Sequence, residues 1–145
     1  MNPYASQVGA YQTTNLANLG PGDQVALLLS TAAKHMRIAK DHVVRKEYEE
    51  RTKVSEKSIL ILEGLASVLE VKDPSQEKIA KDLEEYYMSM VTMISHMNVT
   101  NDEKLCDAIA RALDQMADTW RQGQKEMKKL SPTEEKNPGN FNLSA

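Results

Sequence analysis

The sequence predicts an all-α fold: an antiparallel, up-down four-helix bundle over residues 23–128, preceded by a flexible N-terminal arm over 1–22 and followed by a disordered tail over 129–145. Three observations carry this. Apolar residues recur at alternating spacings of three and four in four separate stretches, the signature of a helix with one buried face. Short runs containing Gly, Pro, Asn or Asp punctuate most of the stretches, and short connections make neighbouring helices antiparallel. No segment alternates with the period of two that a half-buried strand needs.

At 145 residues, 41% hydrophobic and 27% charged, the chain suits one core. Its 18 basic and 21 acidic residues are mixed along the chain for a net charge of −3, so no positive stripe is offered to a phosphate backbone and no nucleic-acid partner is expected. The first 20 residues lack a charged leader with an apolar core, and no run approaches the ~18 apolar residues of a membrane span, so no membrane insertion and a cytoplasmic location are expected. Cys106 is the one cysteine, and its place in a helical pattern reads as a small buried side chain.

Residues 1–19 show isolated Tyr4, Val8 and Tyr11 among polar residues and no sustained period. After Gly20, Pro21 and Gly22, Asp23 is the expected cap of a first helix. Its seam is Val25, Leu29, Ala32, Met36, Ala39 and Val43. A second pattern runs from about Tyr48 to Glu70 with Ile59, Leu62, Ala66 and Leu69 as seam. One helix across both would be about 70 Å long, so a hairpin near Arg45–Glu50 is expected although no Gly or Pro marks it.

Asp73 and Pro74 begin the third helix, whose seam is Ile79, Leu83, Tyr86, Met90, Met93 and Met97, with Asn98 and Val99 at its end. Thr100 and Glu103 have the spacing of a capping box, which starts a fourth helix carrying Leu105, Ile109, Ala112, Leu113, Met116 and Trp120 to Gly123 or a turn or two beyond.

Catalytic patterns are absent. No Glu has His three residues on, the pairing that di-metal bundles use, and His35 and His42 are two ligands without a third. Phosphate loops, a nucleophile elbow and paired cysteines are missing as well. The expectation is a protein that is not an enzyme, with no metal, no cofactor and no small-molecule substrate.

The apolar arcs of helices two and three are wider than the roughly 100° that a seam requires. With Leu65 in the sector of Leu62, Ala66 and Leu69, Val54, Ile61 and Val68 broaden the second, and Tyr87, Val91 and Ile94 the third. Periodicity alone fits either a deep core or a groove for a partner helix. Met88, Met90, Met93 and Met97, half of the 8 methionines, lie on helix three, and soft thioethers suit adaptable binding surfaces. The arm with Tyr4, Val8 and Tyr11 is placed to act as a lid over such a groove.

The order of these features resembles the flagellar secretion chaperones, the FliS family, from the arm to Trp120. The likeness rests on Ala10, Tyr11 and Gln12; on Pro21 before Val25–Leu29; on Lys57, Ile59, Ile61, Leu65 and Leu69; on Ile79, Ala80, Leu83, Tyr86, Tyr87 and Met90; and on Asn98, Asn101, Asp102, Leu105, Leu113 and Trp120. Leu29, Ser30 and Thr31 depart from the usual Tyr, Asp and Gly, and a Gly pair before helix three is missing. The resemblance implies a chaperone for the C-terminal amphipathic segment of flagellin, which prevents premature polymerisation and supports type III export, in contact with components of the export apparatus. Val54, Ile61, Leu65, Val68, Tyr87, Val91 and Ile94 are its expected client contacts. The alternative is a helical adaptor for a different export substrate.

Overall fold

In this computed structural model residues 18–130 are described, and they form four α-helices with one 3-10 turn and no strand. The expected lid residues Tyr4, Val8 and Tyr11 and the tail from Ser131 onward lie outside the described residues. Helix α1 spans Pro21–Val44, α2 Tyr48–Ser67, α3 Glu77–Thr100 and α4 Glu103–Leu130, with the 3-10 turn Pro74–Gln76 before α3.

Helix α1 starts earlier than expected, with Gly20 as N-cap and Pro21 in the first turn, because the proline ring already holds a helical φ and its missing N–H needs no partner. Asp23 is therefore not the cap; its carboxylate sits in the first turn, near the positive end of the helix dipole. The orphan N–H of Gly22 is satisfied from α4, donating to Gln124 Oε1 at 2.7 Å in a buried bond. The expected α1 seam, Val25, Leu29, Ala32, Met36, Ala39 and Val43, is buried throughout.

The hairpin between α1 and α2 is made without glycine. Lys46 takes a left-handed φ of 59°, its N–H and that of Glu47 bond back to the carbonyls of Val43 and His42 at 3.0 and 2.8 Å, and α2 begins at Tyr48. A lysine in the position usually given to Gly or Asn leaves no turn signal to read.

The α2 face that packs inward differs from the expected seam. Leu62 is buried, but Ile59, Ala66 and Leu69 are only half-buried, whereas Val54, Ser55, Ser58, Ile61 and Leu65 are buried. Two serines explain the rotation. The hydroxyl of Ser58 donates to Ala32 O of α1 at 2.8 Å, and that of Ser55 to Asn98 Oδ1 of α3 at 3.0 Å. With their hydroxyls satisfied, these short side chains let the backbones approach and pull the adjoining Ile61 and Leu65 into the core.

Asp73 caps the 3-10 turn, its carboxylate accepting from Ser75 N–H at 3.0 Å. Helix α3 runs past Val99 to Thr100 and is closed by Asn101 at φ 56°, whose N–H bonds to Met97 O at 2.8 Å. The expected capping box is not formed. Thr100 is still inside α3, with its hydroxyl donating to His96 O, and Asp102 caps α4 instead by accepting from Lys104 and Leu105 N–H at 3.0 and 3.2 Å. A left-handed asparagine followed by a capping aspartate turns the chain in two residues, so a third linker residue is unnecessary.

Each helix packs on its chain neighbours, and α1 also packs on α4, which closes the bundle. The α1–α4 contact is antiparallel: Gly22, Arg37 and Lys40 meet Gln124, Asp114 and Asp107 in descending order. At the end holding the α1–α2 and α3–α4 turns, polar groups latch the bundle. The buried Arg51 guanidinium donates to the side-chain oxygen of Asn101 and lies 5.5 Å over the Tyr48 ring.

Candidate functional site

The four seams are unequally closed. α1 against α4 is the most extensive contact and α3 against α4 the least, so the bundle is loosest where α3 and α4 face each other. Residue size supplies the reason. Buried alanines, Ala26, Ala32, Ala33 and Ala39 on α1 and Ala110 and Ala117 on α4, allow close approach, whereas α3 offers Leu83, Tyr86, Met90 and Met93.

Along the loose seam Tyr86 marks the contact, its hydroxyl donating to Ala112 O at 3.1 Å. Burial pushes the Tyr86 phenol up to about 12, so it remains a donor at any physiological pH. Leu83 and Met93, one turn before and two turns after Tyr86, share its face and are half-buried. Ile79 continues the stripe at 63% exposure. On α4 Leu105, Ala112, Met116 and Trp120 are likewise half-buried. Apolar side chains on both walls are thus left partly in water along much of α3, 24 residues and about 36 Å long.

At the far end of the bundle from the hairpins, a small apolar pit of about 20 Å³ lies between Val25, Leu28, Leu65, Val68, Leu69, Tyr87 and Trp120. All four helices contribute to it. Such a volume holds roughly one water, yet its lining offers that water little to bond, which makes the pit better suited to an apolar side chain.

The expected contact residues divide three ways. Ile61 and Ile94 have no exposed surface, and Tyr87, Leu65 and Val54 are exposed by only 1%, 3% and 8%. These belong to the core, so the reading of them as a surplus face is corrected: the buried serines turned α2 inward on that side. Val91 is half-buried and Val68 is 38% exposed. Leu65, Val68 and Tyr87 do meet, around the pit, while Val54 lines a separate cleft between α1 and α2. Of the stripe read as seam, Met90 and Met97 are buried, while Leu83, Tyr86 and Met93 are half-buried and Ile79 is exposed, so it is left open in part. Its signal was present in the sequence, as large flexible residues facing α4 where α1 has alanines.

The chemistry available here is contact chemistry. Burial, aided by Asp107 and Asp102, pushes the Cys106 thiol up to about 11, far from a thiolate at neutral pH. Among the described residues no group of three or more His, Cys, Asp or Glu is placed to hold a metal, and no helix is long and apolar enough to cross a membrane.

The family model described as "Flagellar protein FliS" matches residues 4–127. No curated protein and no solved structure matches the chain. A match over most of the chain, together with an all-α four-helix bundle, places the protein by descent: it belongs to the FliS family, whose members are flagellar export chaperones.

Proposed function

We propose that the protein is a cytoplasmic chaperone that binds the C-terminal amphipathic segment of flagellin along the α3–α4 seam and in the apolar pit, blocks premature polymerisation, and delivers the subunit to the type III export apparatus. The carrying observation is the half-open apolar seam in a family of flagellar export chaperones. An amphipathic helix lays its apolar face into such a groove, and Met93 and Met116 can adapt to it. Binding of this kind needs no catalytic step and no cofactor.

The arm acts as the lid in this reading. The chain enters α1 at Gly20 and Gly22, and a side chain added at Gly22 would meet Trp120 O at 3.0 Å, so the arm departs beside the pit that Trp120 lines. We infer that Tyr4, Val8 and Tyr11 serve as the removable cover that a client displaces. Ordering the client on binding costs about 2–5 kcal/mol, so a long contact is needed.

The test is calorimetric titration with a flagellin C-terminal peptide, alongside a peptide from a different export substrate. Leu83→Asp should weaken flagellin binding by at least about 2 kcal/mol while the fold is retained. Unchanged affinity rejects the seam as the site, and preference for the other substrate favours the adaptor reading.

A further inference from the structure

On the side of the bundle opposite the α3–α4 seam, α1 and α2 enclose a cleft of about 630 Å³. Its walls carry Lys34, His35 and Ile38 from α1 and Lys53, Val54 and Lys57 from α2, and it extends from Thr31 to His42, about 16 Å along α1. Ile38 is 37% exposed, and Val54 lies deeper at 8%. The cleft therefore has an apolar floor and a cationic rim in a protein whose net charge is −3.

The cations are poorly matched within the molecule. Lys34 and Lys57 are exposed and have no ion-pair partner among the described residues. Lys53 reaches Glu49 and Glu50 only at 3.6 Å. Between the lysines, His35 Nδ1 is buried without a hydrogen-bond partner. Burial, then Lys57 and Lys34, holds this imidazole below its ordinary range. Lys34 from one helix and Lys53 and Lys57 from the other line one groove on which Glu50 is the carboxylate, so positive charge exceeds negative there.

We propose that this cleft binds an acidic peptide segment of a partner protein, its carboxylates pairing with Lys34, Lys53 and Lys57 and an aliphatic side chain settling between Ile38 and Val54. The site is distinct from the client seam and stands whether or not that reading holds. The acidic side chains within residues 1–17 and 131–145 do not supply the occupant. Residues 1–17 contain no Asp or Glu. Gly22 sits beside Gln124, so Leu130 lies about 9 Å beyond that level and Lys34 about 18 Å on the other side, while the chain from Leu130 to Glu135 spans at most about 18 Å. The floor and length exceed what a lone phosphate fills, and an extended polyanion such as RNA would meet the acidic remainder of the surface.

The experiment is an NMR titration of the full chain with a short peptide of glutamates carrying leucine at every fourth position. Its glutamine analogue, inorganic phosphate and a single-stranded oligonucleotide form separate arms. The acidic peptide should bind, with the largest amide shifts on residues 31–42 and 50–57, and the glutamine analogue should not. The Lys34→Gln/Lys57→Gln variant should lose at least about tenfold in affinity and the control Lys72→Gln less than about twofold, both keeping the helical circular dichroism of the parent. Absence of binding at millimolar peptide, equal losses in the two variants, or tighter binding of phosphate or oligonucleotide than of peptide would overturn the proposal.

Discussion

The two flanks of α4 are built from different materials. Toward α1 the contact is lined by alanines and crossed by four polar bridges: Gly22 N–H to Gln124 at 2.7 Å, Arg37 to Asp114 at 2.6 Å, Lys40 to Asp107 at 2.8 Å and Arg121 to Ser30 at 2.7 Å. Toward α3 the side chains are long and several are half-buried, and the Tyr86 hydroxyl donates to Ala112 O. Short side chains bring backbones together and fix register, whereas long flexible ones hold them apart and leave apolar surface in water. One helix thus anchors the fold on one side and offers a surface on the other.

The largest effect that separates the flanks is truncation. Leu113→Ala, at a position with no exposure, should cost about 2–5 kcal/mol in urea denaturation. Leu83→Ala on the loose seam should cost less than about 1.5 kcal/mol and show its main effect on client affinity. If the order were reversed, the loose flank would be holding the bundle. Next comes Gln124→Leu, which leaves the buried Gly22 N–H without its acceptor and should cost about 1–3 kcal/mol by the same measurement.

A smaller effect depends on pH. Burial, Lys57 and Lys34 hold His35 below its ordinary value of 6.5, so the folded protein binds fewer protons there than the unfolded chain does. Its contribution is therefore complete above 6.5 and is lost as pH falls below that value toward the depressed folded value. Thermal melts between pH 7.5 and 5.5 should show this decline, and His35→Gln should flatten it. The smallest effect is Asp114→Asn, which removes a half-exposed ion pair and should cost about 0.2–1 kcal/mol, less in high salt.

Much of the fold was legible because each α1 seam residue is apolar and each turn but one carries a marker. Asp73 and Pro74 mark a 3-10 turn, Pro74–Gln76, and α3 itself begins at Glu77, later than the sequence reading places it. What was misread has physical causes. Ser55 and Ser58 look polar in sequence, but once their hydroxyls bond to Asn98 and Ala32 they pack as small core residues, and the inward face of α2 shifts toward Ile61 and Leu65. Thr100 and Glu103 have capping-box spacing, but the choice between Thr100 and Asp102 as cap depends on where Asn101 turns left-handed. Tyr87 and Ile94 read as surplus apolar surface in sequence and are buried in the fold, since hydrophobic period locates an apolar face without saying how closely its neighbour approaches. Side-chain size on the facing helices carries that information.

Residue-resolved hydrogen exchange, with and without a flagellin C-terminal peptide, tests the division of α4 most directly. The account predicts that in the free protein α3 amides exchange faster than those of α1, and that peptide slows exchange from Ile79 to Met93 and at Ala112 to Trp120 while leaving Val25 to Val43 unchanged. Protection centred on α1, with α3 unaffected, would contradict it.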